Sequence, residues 1–93
     1  MKKCVKITFT GDLPKLFLQD KVQKNAKKIG IEGTASVAKS SKAVKIIAYG
    51  EKEAIEKFLD VLHKECSKAG IGELDVEPFL KDKDYRGVFR IIE

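Results

Sequence analysis

Few side chains in this sequence are suited to chemistry. They are two cysteines, Cys4 and Cys66, one histidine, His63, and two arginines, Arg86 and Arg90. Two thiols and an imidazole would hold a metal only if the fold gathered them, because their separations match no zinc-ligand spacing. No histidine lies beside Cys4 to activate it as a nucleophile. Cys66 falls on an apolar helical stripe and reads as a small core residue. Two cysteines are also too few for a disulfide scaffold. No metal and no cofactor are expected.

The remaining chemistry is electrostatic. The net charge is +5 and is carried mostly by lysine. Such a balance attracts anions and nucleic acid without specificity. Specific recognition of phosphate or bases leans instead on the bidentate fork of arginine. A solvated, soluble surface is the plainer reading. The 93 residues suffice for one domain, with 43% hydrophobic and 35% charged residues. No apolar run approaches a membrane span, and Lys6 interrupts any signal-like stretch near Met1. A cytoplasmic monomer with no membrane contact is therefore expected.

Several elements must position these groups. From Lys3 to Thr10 the residues alternate, with Val5, Ile7 and Phe9 on one face and Cys4, Lys6 and Thr8 on the other, the period of a half-buried strand. Gly11-Asp12-Leu13-Pro14 ends it and opens a loop. Leu18, Val22, Ala26 and Ile29 then recur at spacings of four, four and three, which predicts an amphipathic helix from Gln19 to Ile29. Gly30 stands where a C-terminal glycine belongs. Two extended runs follow, Ile31 to Ala38 and Ala43 to Tyr49, joined by a polar turn at Lys39-Ser40-Ser41-Lys42. A second helix over 51–69 carries the stripe Ile55, Phe58, Leu59, Leu62, Cys66 and Ala69, and Gly70 closes it. Further strands are expected at Glu73 to Leu80 and Gly87 to Ile92, around the charged turn Lys81-Asp82-Lys83-Asp84.

The order is β-α-β-β-α-β with a short extra C-terminal strand. It predicts a ferredoxin-like α+β sandwich, two helices on one face of an antiparallel sheet. Cys66 would then face the sheet from a helix while Cys4 points from the opposite face, so no disulfide joins them. His63 lies off the stripe.

The sequence resembles a known family. Acylphosphatases carry a strand followed by G-x-V-Q-G-V-G-F-R, a helix with V-x-x-x-A-x-x-L-G, and then L-x-G-W-V-x-N. This chain reads Gly11 to Gln19, then Val22, Ala26, Ile29 and Gly30, then Ile31-Glu32-Gly33 to Val37, in register without a gap. Ala48-Tyr49-Gly50-Glu51-Lys52-Glu53-Ala54-Ile55 is similar to the family's A-E-G-x-x-E-A-L, and Phe89-Arg90-Ile91 to its closing F-x-I. The resemblance covers nearly the whole chain, in matches that are mostly structural.

The resemblance implies metal-free hydrolysis of acyl phosphates. The loop holds the phosphate on backbone N–H groups, an arginine clamps it, and an asparagine on the next strand orients water. Such catalysis is positioning plus charge stabilisation. Here the arginine position is Gln19 and the asparagine position is Val37. The cradle glycines are Lys15 and Phe17, which removes residues that take positive φ easily. Pro14 deletes a donor, and Asp12 brings negative charge toward the loop. The only asparagine, Asn25, lies mid-helix. Ordinary activity is not expected, and no catalytic residue is assigned. A weak, vestigial anion site would comprise Lys15, Leu16, Phe17, Leu18 and Gln19. Lys15 reads as a solvated loop residue before an anion ligand, and Phe17 as packed inward.

Two other classes compete. RNA-recognition domains share this element order but stack bases on aromatic residues of the central strands. On the third strand either Val44, Ile46 and Ala48 or Lys45, Ile47 and Tyr49 face outward, so at most Tyr49 is available, and no sequence-specific nucleic-acid binding is expected. The remaining class is a binding or interaction module whose ligand, a small anion or a protein, is unknown. Fold alone does not choose among them.

Overall fold

The computed structural model describes residues 1–14, 16–38, 40–80 and 85–92. The expected turn at 81–84 lies outside these residues, as do Lys15 and Lys39.

Strand β1, Lys2–Thr10, alternates as expected, with Val5, Ile7 and Phe9 buried. The first helical segment differs from expectation. It opens as a π-helical turn, Leu18–Gln23, and continues as α1, Lys24–Ile29. A π turn spaces equivalent side chains five residues apart rather than four. That is the step from Phe17 to Val22, both buried, whereas Leu18 is only partly so. Phe17, expected to pack inward, is thus the core member, and Leu18, placed on the four-residue stripe, lies at its margin. Gly30 takes φ 93, and across it the Ile31 N–H donates to the Ala26 carbonyl over 2.8 Å, satisfying a helix-end acceptor.

Strands β2, Glu32–Ala38, and β3, Ala43–Glu51, pair antiparallel. Helix α2, Lys52–Lys68, buries Ile55, Phe58, Leu62 and Cys66, with Leu59 and Ala69 packed at the margin. It ends in a Schellman arrangement: Ile71 N–H donates to Cys66 and Gly70 N–H to Ser67, over 2.8 and 3.1 Å. The short strands β4, Asp75–Pro78, and β5, Phe89–Ile92, form the sheet edges.

The five-stranded sheet runs β4-β1-β3-β2-β5. The pairs β4-β1, β1-β3 and β3-β2 are antiparallel, and β5 joins β2 parallel, so the sheet is mixed. The parallel pair arises because β5 returns to the far edge instead of turning back on β4. Both helical segments share one apolar core with the buried faces of β1, β2 and β3. This is the expected ferredoxin-like sandwich. Val44, Ile46 and Ala48 face that core. Lys45, Ile47 and Tyr49 therefore lie on the helix-free face, opposite Thr8, Lys6 and Cys4.

No helix among the described residues is long and apolar enough to cross a membrane.

Candidate functional site

The loop after β1 is set by local backbone chemistry. The Phe17 N–H donates to the Pro14 carbonyl over 3.1 Å, closing a turn, and the Asp20 N–H donates to the Leu16 carbonyl over 2.8 Å, starting the helix. Leu16 sits in this turn at φ 64, a left-handed conformation that costs an L-residue about 1–2 kcal/mol. Of the two positions where the resemblance expects a glycine, Phe17 is right-handed at φ −56 and Lys15 lies outside the described residues; the positive φ falls on Leu16, between them. Burial of Phe17, 5% exposed, anchors the turn and offsets that cost, while Leu16 itself is 55% exposed.

The loop, β2 and β5 flank a cavity of ≈ 500 Å³ that is open to solvent. Leu13, Pro14, Leu16, Phe17, Leu18 and Gln19 line one side, and Val37, Ile91 and Ile92 the other. The structure therefore brings together Leu16, Phe17, Leu18, Gln19 and Val37. Lys15 lies outside the described residues. Ile91 and Ile92 were not anticipated. Their apolar run is visible in the sequence, but only the parallel β2-β5 register, with Ala35 opposite Ile91 and Ser36 opposite Ile92, brings it beside Val37.

Gln19 carries the only polar side-chain group among these described lining residues. An uncharged amide donates and accepts hydrogen bonds but neither clamps a phosphate dianion nor serves as a base. The other described lining side chains are hydrocarbon, so the remaining polar atoms of the lining belong to the main chain.

Asp12 does not line the cavity. It pairs with Lys42 at the end of the β2-β3 turn, and that hydrogen bond, together with the lysine charge, holds its carboxyl below the usual range. The expected intrusion of negative charge into the loop is corrected accordingly. Asn25 donates to the Lys21 carbonyl over 2.6 Å within its own helix.

The other candidates are dispersed. His63 is exposed. Cys66 is fully buried, and burial, reinforced by the neighbouring Glu65 carboxylate, pushes its thiol up to about 11. It is an inert thiol at neutral pH. Among the described residues no three His, Cys, Asp or Glu converge as a metal site. On the helix-free face Lys2 Nζ stands 5.5 Å from the Tyr49 ring centre. A second aromatic reaches that face, contrary to expectation: Lys6 Nζ lies 5.9 Å from the ring centre of Phe79. Lysines already cover both rings.

Comparison with known proteins agrees with this architecture. The family model for acylphosphatase matches residues 5–91. Solved structures similar to the chain include an acylphosphatase from Coxiella burnetii, at 22% identity and TM-score 0.81, covering 98% of this chain and 93% of that one. An acylphosphatase from Bacillus subtilis is 18% identical, with TM-score 0.81 and 100% of both chains covered. HypF from T. kodakarensis is 19% identical, with TM-score 0.77, and this chain spans 12% of its length. No curated protein matches the sequence. The chain belongs to the acylphosphatase family.

Proposed function

We propose that this acylphosphatase-family chain has kept the fold and lost the ordinary reaction, and that it acts as a cytoplasmic, monomeric binding module. The observation that carries the reading is the lining of the loop cavity, where Gln19 on one side and Val37 on the other stand among apolar side chains. Carrying the family pattern onto this sequence residue by residue puts these two where arginine and asparagine work. Losing one preorganised transition-state donor costs about 10²–10³ in rate. Two are replaced here, and Pro14 offers no N–H to the loop. A cavity of ≈ 500 Å³ lies within the range of small-ligand sites, and its apolar side chains favour a ligand with an apolar body. Cysteines kept as thiols suit a reducing compartment, and the net charge of +5 suits a soluble monomer.

A second reading has one observation in its favour. Leu16 at φ 64 followed by Phe17 at φ −56 is a left-handed, right-handed pair, the backbone pattern of an anion nest. Weak residual hydrolysis of acyl phosphates would rest on that pair.

Hydrolysis of benzoyl phosphate by the unmodified chain separates the two. A rate hardly above the uncatalysed one supports the binding module. Turnover that saturates with substrate supports the residual enzyme.

A further inference from the structure

The two helical segments differ in how their charges are placed. The first, Leu18–Ile29, carries four lysines and one acid, Asp20, whereas α2 carries four lysines and four acids. A net of three of the chain's five positive charges therefore sits on the first segment alone.

Helix geometry gathers those lysines on one side. Val22 and Ala26 are fully buried and fix the side that faces the sheet. At about 100° per residue, Lys24 lies opposite them, with Lys21, Lys27 and Lys28 within about 70° of it. All four are exposed. The neutral amides at the margins of this face are occupied, Gln23 by the Phe89 carbonyl and Asn25 by the Lys21 carbonyl.

Little in the chain neutralises the face. Lys21 lies 4.0 Å from the Glu65 carboxylate of α2, which Lys68 approaches to 3.9 Å as well. Among the described residues no ion pair engages Lys24, Lys27 or Lys28. Like charges three and four residues apart repel on a helix surface. The helix dipole favours Lys27 and Lys28, in the last turn, but it does not favour Lys21 or Lys24.

The chemistry of the face selects its occupant. Among the described residues, the large exposed hydrophobic side chains all lie outside Leu18–Ile29. Protein interfaces bury apolar or aromatic anchors and are depleted in lysine. A helix lying on a membrane needs a free apolar face, and here that face is in the core. Ammonium groups without an anchor suit a surface of closely repeated negative charge. A nucleic-acid duplex offers one charge per about 1.7 Å of its axis, and Lys21 to Lys28 span about 10 Å of helix. A single strand would need open aromatic rings on which to stack its bases. Tyr49 and Phe79 lie on the other side of the sheet, each with a lysine over it.

We propose that the outer face of Leu18–Ile29 docks on the phosphate backbone of duplex nucleic acid. Lys21, Lys24, Lys27 and Lys28 make the contacts, and no sequence is read.

Fluorescence anisotropy of labelled short DNA duplexes, titrated with the full chain from low to physiological salt, tests this. Two duplexes of unrelated sequence should bind equally, with a log–log salt slope of about −3. Lys24→Gln with Lys28→Gln keeps good helix formers in place. It should make the slope shallower by about 2 and weaken low-salt binding about tenfold or more. Lys2→Gln with Lys45→Gln removes the same charge from the helix-free face, and binding should stay within about twofold of the parent. An equal loss in that control pair would assign binding to net charge and overturn the proposal. So would a duplex left unbound at low salt, a single strand bound more tightly than the duplex, or phosphatidylserine vesicles preferred to it.

Discussion

Gln23 donates its side-chain Nε2–H to the main-chain carbonyl of Phe89 over 2.9 Å. This bond ties the last residue of the π-helical turn to the first residue of β5, and so joins the element carrying Gln19 to the strand carrying Ile91 and Ile92. The two walls of the loop cavity are linked by one side chain.

Gln23→Ala should therefore loosen β5 as well as lower stability. A partly buried carbonyl that loses its donor costs about 1–2 kcal/mol. Urea unfolding should show that loss, and amide exchange should rise along Phe89–Ile92. Unchanged exchange in β5 would separate the hydrogen bond from any role in holding the cavity.

The sequence predicted the fold wherever side-chain period and burial coincide. Val5, Ile7 and Phe9 in β1 and Ile55, Phe58, Leu62 and Cys66 in α2 are core in pattern and in structure. It failed where backbone conformation departs from residue preference. Leu16, Lys42 and Arg86 take φ of 64, 55 and 55, although none of these types announces it. The π turn was missed because Phe17 to Val22 is a five-residue step that a helical stripe of period 3.6 ignores. At the loop cavity, the resemblance paired Gln19 with Val37, and the structure puts both on the lining of one cavity, on its two sides. Ile91 and Ile92 stayed hidden because strand order across the sheet is a tertiary fact.

Gly33 should tolerate no side chain. Its φ is +148, and a Cβ there would stand 1.8 Å from the Ile47 carbonyl oxygen and 2.8 Å from its carbon. Backbone, not a flexible side chain, would have to move, and it belongs to the central strand β3. Gly33→Ala should cost about 3 kcal/mol, read as a fall in the urea midpoint with little change in slope. A variant as stable as the parent would mean that β2 shifts freely against β3.

Cys66 should make stability fall in alkali. Its thiol rises from an ordinary 9.0 to about 11 in the folded chain. A raised acid pKa means the folded state holds its proton where the unfolded state has lost it. The resulting stability is complete below about 9 and disappears as pH climbs toward about 11. The decline should be shallower in Cys66→Ala, compared by slope because that variant also loses packing. At neutral pH, iodoacetamide should alkylate Cys4 well before Cys66, and equal rates in the native protein would contradict the burial of Cys66.

The last prediction concerns the loop cavity and separates lost charge from lost backbone geometry. If Gln19 and Val37 alone silence the reaction, Gln19→Arg with Val37→Asn should raise benzoyl phosphate hydrolysis sharply. We expect only partial recovery, because Pro14 still supplies no N–H and the positive φ of the loop falls on Leu16 rather than on a glycine. Adding Leu16→Gly should then help in two ways. It relieves about 1 kcal/mol of backbone strain, seen as a higher Tm, and it removes a 55% exposed side chain from the cavity mouth. Because that side chain is more than half exposed, little burial is lost in exchange. A triple variant no faster than the double one would show that the turn at Leu16 is indifferent to phosphate. A double variant with the full rate of an intact family member would show instead that Gln19 and Val37 account for the whole deficit.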